Sequence, residues 1–187
     1  MQNAHTNEIV DLCSGGTGPW VHLVEQLEQA GLHVEVTLTD KYPNLESVRK
    51  LAENPHQRIK YLEQSVDAMA VPDSLKGMLT LFEGFHHFKP DQAKLILQDA
   101  VNKRAAIGIF EASLKPPLGI IILLFSPLIT IESYSLMTPF IKPRTFPRFF
   151  WTYLIPIVPI ATSWDGVVSL LRTNSPKELK DLTDACT

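Results

Sequence analysis

The chain has 187 residues, a net charge of −3 and a pI of about 6.1. Apolar residues make up 45% and charged residues 20%; that balance excludes a disordered chain, and the acidic charge argues against nucleic acid as a partner. Two cysteines, Cys13 and Cys186, give no disulfide framework, and residues 1–7 are polar with no signal peptide, so a reducing, cytoplasmic setting is expected.

In chain order, residues 8–12 (EIVDL) read as a first strand. Residues 19–30 read as a helix, with Pro19 suited to its first turn and Gly31 to its C-terminal cap. Residues 33–39 (HVEVTLT) are β-branched and alternating and predict a second strand. NLESVRKLAEN predicts a helix, RIKYLEQ a short strand, and GMLTLFEG (77–84) a fourth strand. A helix beginning at Pro90 and a fifth strand over 104–112 follow. Strands alternating with helices predict an α/β fold: a Rossmann-like parallel sheet of about five strands, with helices on both faces. Ligands of such sheets bind beyond the carboxyl ends of the strands, at the switch point. Three parts are expected: a core over 1–115, an apolar, Pro-rich helical insertion over 116–163, and a C-terminal helical part over 164–187. NSPKEL opens the last helix, with Ser175 and Glu178 at capping-box spacing.

Gly15, Gly16 and Gly18 follow the first strand and open a helix. Glycines let a backbone approach a ligand, and a helix N-terminus adds unpaired N–H groups and partial positive charge. A tight turn with no ligand would look the same, so the later strands must decide. Asp11, Asp40 and Asp67 fall at the ends of three successive strands. Asp40 lies 22 residues after Gly18, near where a Rossmann-like fold places an acid for ribose hydroxyls.

EIVDLCSGGTG, VTLTDKYPN and SVDAMAVP resemble motifs I, II and III of the class I S-adenosylmethionine-dependent methyltransferases, over about residues 8–112. The resemblance implies S-adenosylmethionine as cofactor. It places Asp11, Cys13, Gly15 and Gly16 at the methionine part, Asp40 at the ribose, and Asp67 at the adenine amino group, with Ala68 and Met69 flanking the ring. Cys13 stands where the family usually has its first glycine. The family also usually has helices before the first strand and two strands after the fifth, so the chain looks shortened at both ends. An exposed fifth strand, AAIGIF, would then invite self-association.

FEGFHHFKPDQA resembles the region after strand four that faces substrate in small-molecule methyltransferases. His86 and His87 are the candidate catalytic residues there, because a histidine titrates near neutrality and can take a proton from the acceptor. They serve equally as loop-shaping residues beside Phe85 and Phe88. Glu83 and Glu111 are weaker polar candidates, and no metal site is expected. A dinucleotide fingerprint fails, since G-x-G-x-x-G runs Gly16, Thr17, Gly18, Pro19, Trp20, Val21.

Residues 116–163 hold eight of the fourteen prolines and four charges: Glu132, Lys142, Arg144 and Arg148. The apolar runs LGIIILLFSPLITI and FFWTYLIPIVPIATSW have 14 and 16 residues, short of the roughly 20 a spanning helix needs. A buried lid and a membrane-interface hairpin both fit, and both point to an apolar small-molecule or lipid-like substrate. The function expected is therefore methyl transfer to such an acceptor. The alternatives are a degenerate methyltransferase-like protein with a membrane or protein-interaction role and, below it, an NAD-type oxidoreductase.

Overall fold

The computed structural model describes residues 7–53, 58–111, 118–141 and 143–186. Strands β1 (Glu8–Leu12), β2 (Glu35–Leu38), β3 (Ile59–Tyr61), β4 (Met78–Phe82) and β5 (Ile107–Phe110) form one sheet in the order β3-β2-β1-β4-β5. All four pairings are parallel. The expected α/β, Rossmann-like sheet is the observed one. β1 has the expected bounds, and the others are shorter than their apolar patterns. Two of the lost ends are backbone events: Glu83 leaves β4 at a φ of 49°, and Arg104 turns at 53° before β5. Gly77, at a φ of 131°, passes so close to β1 that a Cβ there would lie 2.4 Å from the Glu8 carbonyl oxygen.

Alternation along the strands divides the core between two faces. Ile9, Val36, Leu38, Ile59 and Tyr61 pack with Trp20 and Val24 of helix α1 (Trp20–Gln29) and Val48 of α2 (Leu45–Glu53). Val10, Leu12, Leu79 and Leu81 pack with Ala93, Ile96, Leu97 and Ala100 of α3 (Pro90–Asn102). Local chemistry starts and stops these helices. Asn44 Oδ1 accepts from the N–H groups of Glu46 and Ser47 at 3.1 Å each, which caps α2. Pro90 opens α3, and Gln92 Oε1 accepts from the Lys89 N–H at 3.0 Å. Gly31, at a φ of 77°, ends α1 as expected.

The chain divides into two compact units, Met1–Glu111 with Pro176–Thr187, and Ala112–Ser175. The first holds the sheet, and a late helix, Pro176–Asp184, sets Leu179 and Leu182 against the α3 side of its core. The second contains α4 (Leu118–Met137), α5 (Phe146–Phe149), a π-helical turn over Phe150–Leu154, and α6 (Ile157–Arg172). α4 and α6 pack on each other. Among the described residues, no helix is long and apolar enough to cross a membrane.

Candidate functional site

The chain runs outward from β1 through α1 to β2 and β3, then returns to place β4 on the other side of β1. The switch point therefore lies beyond the carboxyl ends of β1 and β4. Both strands leave the sheet there through a non-glycine residue in the left-handed region, Cys13 at a φ of 58° and Glu83 at 49°. Such a residue costs about 1–2 kcal/mol, and clustered strain of this kind is a mark of functional sites. Cys13 occupies the position where the resembled family has glycine, and it adopts the backbone a glycine would.

Beyond Cys13, the turn presents Gly15 at a φ of 55° and Gly18 at 53°, each with nothing within 4 Å of where a Cβ would stand. The turn thus offers bare backbone and open space, followed at once by the N-terminus of α1. Three interactions fix its shape. The Gly15 N–H donates to Asp40 Oδ2 at 2.9 Å, the Tyr61 hydroxyl donates to the Gly15 carbonyl at 3.0 Å, and the Ser14 N–H donates to the Thr39 carbonyl at 3.0 Å.

The three strand-end acids converge here, in three different conditions. Asp11 is 1% exposed. Its Oδ1 accepts from the Thr80 hydroxyl at 2.7 Å, and its Oδ2 from the Ser14 hydroxyl at 2.6 Å. Burial pushes its carboxyl above the usual range, against the pull of Ser14, Thr80 and Trp20. The Trp20 indole Nε1 is buried with no hydrogen-bond partner of good geometry, so its effect on Asp11 is that of a nearby dipole. Asp11 is thus a pin between β1, β4 and the glycine turn rather than a ligand-facing group. Asp40 is half-buried, and its Oδ1 also accepts from the Tyr42 N–H at 2.7 Å. A carboxylate has about four acceptor sites, so capacity remains for a hydroxyl. Asp67 accepts from Lys41 Nζ at 2.7 Å and from the Met69 N–H at 3.0 Å. The Lys41 hydrogen bond, then the Met69 N–H, hold its carboxyl below the usual range. Ala68 lies in the core beneath, and Met69 is half-buried beside it.

Cys13 records that convergence. Burial first, then the charges of Asp40, Asp11 and Asp67, push its thiol up to about 12. A thiol under that field is inert as a nucleophile.

On the β4 side, His86 and His87 form a short turn over Phe85–His87, with ring centroids 4.2 Å apart, but their settings differ. His86 is 7% exposed and His87 is exposed. Glu111, just past β5, has Oε1 at 2.8 Å from His86 Nδ1 and 2.7 Å from the His86 N–H. With the Nδ1 proton directed to Glu111, Nε2 is left as the acceptor. Glu111 enters the site only because β5 lies beside β4. Glu111 was a weaker candidate in the sequence, whereas Ser14, Thr80, Tyr61 and Lys41 are site-shaping residues that sequence reasoning missed. The polar residues Ser14, within a glycine turn, and Thr80, within an apolar strand, were the available signals.

Among the described residues, no group of three or more His, Cys, Asp or Glu side chains is placed to hold a metal ion. A cavity of about 570 Å³ opens at the opposite, amino end of the sheet, lined by Glu8, Gly77, Lys103 and Ala106 among others. Its Lys103 is paired with Asp99 and Asp73.

The sheet order, the glycine turn after β1, and the acids near the carboxyl end of β1 and after β2 and β3 make up the Rossmann-like core that the methyltransferase resemblance implied. No family model and no curated protein matches the chain. Among solved structures, it is similar to the S-adenosylmethionine-dependent methyltransferase SibL in its apo form, with 20% identity, 65% of this chain and 36% of that chain covered, and a TM-score of 0.49. The CMeT domain of the citrinin polyketide synthase shows 16% identity over 59% of this chain and 30% of that chain, with a TM-score of 0.44. A protein named among the Zn-dependent alcohol dehydrogenases, from Rhodobacter sphaeroides, shows 13% identity over 94% of this chain and 71% of that chain, with a TM-score of 0.48. The chain spans about a third of the length of the two methyltransferases.

Proposed function

We propose that the chain binds S-adenosylmethionine at the switch point and transfers its methyl group to an apolar small molecule. The observation that carries this reading is the open glycine turn after β1, closed by Asp40 through the Gly15 N–H and pinned by Asp11 through Ser14. When bound, the cofactor supplies a methyl group on a sulfonium, open to in-line displacement. The chain's own residues supply the rest. The bare backbone at Gly15 and Gly18 admits the methionine part, and Asp40 accepts from the ribose hydroxyls. Asp67, at the edge of the same crevice, accepts from the adenine amino group. Asp11 holds the turn in place from below.

His86 is the base for an acceptor that must lose a proton. Glu111 orients the ring and keeps Nε2 free to receive that proton. His87, exposed and without this partner, is assigned no more than a contact role. An NAD-type reading has less support, because Trp20 fills the helix–sheet contact that a third glycine would open.

Calorimetry tests the proposal with S-adenosylhomocysteine and NAD on one preparation. S-adenosylhomocysteine is expected to bind, and NAD is not. Asp40→Ala is expected to weaken binding by about 1–3 kcal/mol. Equal affinity of wild type and variant would remove Asp40 from the site, and binding of NAD alone would overturn the cofactor assignment.

A further inference from the structure

The described side chains of the unit Ala112–Ser175 are distributed in the reverse of a water-facing domain. Among its described residues, Thr138, Thr152 and Ser163 are buried. Eighteen of the twenty-four exposed large hydrophobic side chains among the described residues fall between Phe125 and Leu171. Described hydroxyl side chains that are buried, with aliphatic and aromatic side chains exposed, match an apolar solvent.

Charge says which apolar solvent. This stretch carries five cations (Lys115, Lys142, Arg144, Arg148, Arg172) and two acids (Glu132, Asp165), a balance of +3 within a chain of net charge −3. Two of the cations are held at the connection between α4 and α5. Arg144 Nε donates to the Pro139 carbonyl at 2.8 Å. Arg148 Nη1 donates to the Ile141 carbonyl at 3.1 Å and the Pro143 carbonyl at 2.8 Å. Each guanidinium has further N–H groups suited to phosphate oxygens. Beside them stand Phe140, 72% exposed, and Phe146, 78% exposed. A second copy of the chain would cover the apolar surface but bring cations against cations. A bilayer with anionic headgroups covers the surface and complements the charge.

We propose that residues 112–175 dock on a lipid bilayer bearing anionic headgroups. Arg144 and Arg148 meet the phosphates, and the exposed faces of α4 and α6 enter the acyl layer of one leaflet.

The test is flotation of the full chain with vesicles of phosphatidylglycerol and phosphatidylcholine, against vesicles of phosphatidylcholine alone. The chain is expected to float with the anionic vesicles and far less with the neutral ones. Arg144→Ala and Arg148→Ala are each expected to weaken binding about fivefold. Salt at about 1 M should erase that difference by shortening the screening length to roughly 3 Å. Because both arginines also satisfy carbonyls of the connection, Phe140→Ser with Phe146→Ser supplies a second variant at exposed positions. It should keep its helical dichroism and bind about tenfold more weakly. Failure to float with either vesicle, equal binding to neutral vesicles, undiminished binding of the phenylalanine variant, or a stable dimer in place of lipid binding would overturn the proposal.

Discussion

The sheet unit and the 112–175 unit draw on the same apolar residue types and place them oppositely. In the sheet unit, Ile9, Val36, Leu38, Leu79 and Leu81 are each no more than 2% exposed, and the buried Asp11 carboxylate is met by Ser14 and Thr80, although the Trp20 indole Nε1 is buried without a partner. In the other unit, Leu136, Leu154 and Trp164 are 67–71% exposed, while the buried Thr152 hydroxyl has no partner. The difference teaches that apolar content does not say where apolar surface goes. Period-2 alternation tells the strands which side chains face inward. A helix such as α4, apolar nearly all round, carries no such instruction and is completed by its surroundings.

The largest expected effect sets one tryptophan against another. Trp20→Ala should cost about 3–5 kcal/mol, because it empties the packed contact between α1 and Phe82. Trp164→Ala, at 71% exposure, should change stability by no more than about 0.5 kcal/mol in lipid-free buffer. Urea unfolding of both variants checks the pair, and comparable losses would break the contrast between the units.

Next comes Asp11. Asp11→Ala should cost about 1–3 kcal/mol by stranding the Thr80 hydroxyl and removing one of the partners of Ser14, and Asp11→Asn less, because one acceptor oxygen remains. The pH dependence has a definite sign. A buried carboxyl raised above its usual range contributes stability that is fully present below the ordinary aspartate value and lost as pH rises through the raised one. Wild type should therefore gain on Asp11→Asn as pH falls from 7 towards 4. Urea midpoints across that range would show a gap that is flat, or of the opposite sign, if Asp11 were instead held ionised.

A smaller effect separates Asp67 from Asp11. Its carboxyl is lowered, so its contribution is present above the ordinary aspartate value and fades as pH falls through the lowered one. Lys41→Ala should move the Asp67 titration up towards the usual range. A carbon-detected NMR titration follows it directly, and an unmoved Asp67 would show that the Met69 N–H alone sets its value. The smallest change is expected at Cys13. With its thiol pushed up to about 12, iodoacetamide at pH 8 should leave Cys13 unmodified until the chain unfolds, as read by mass spectrometry.

Much of the sheet unit was legible because its signals are local. Pro19 and Gly31 bound α1, Pro90 opens α3, and alternating β-branched residues mark β2. The acids at 11, 40 and 67 were legible as a set because strand ends in a parallel sheet lie along one edge. Their separate conditions were not legible. Thr80 is 69 positions from Asp11 and reaches it only because β4 lies directly beside β1. The pairing of His86 with Glu111 across 25 positions, and the different exposure of His87, depend in the same way on β5 lying beside β4.

By itself the sequence determined the α/β class, the order of the elements, the glycine turn and its acids, and the presence of an apolar, proline-rich stretch. Those properties follow from periodicity, backbone preference and turn chemistry, which act over a few neighbouring residues. Only the tertiary structure decided that Asp11 is a buried pin, that Asp40 closes the turn through Gly15, that Glu111 holds His86, and that large apolar side chains described between Phe125 and Leu171 are exposed. Each of these depends on burial and on distances between groups far apart in the chain. Desolvation and hydrogen bonding act on the assembled neighbours, whatever their separation in sequence.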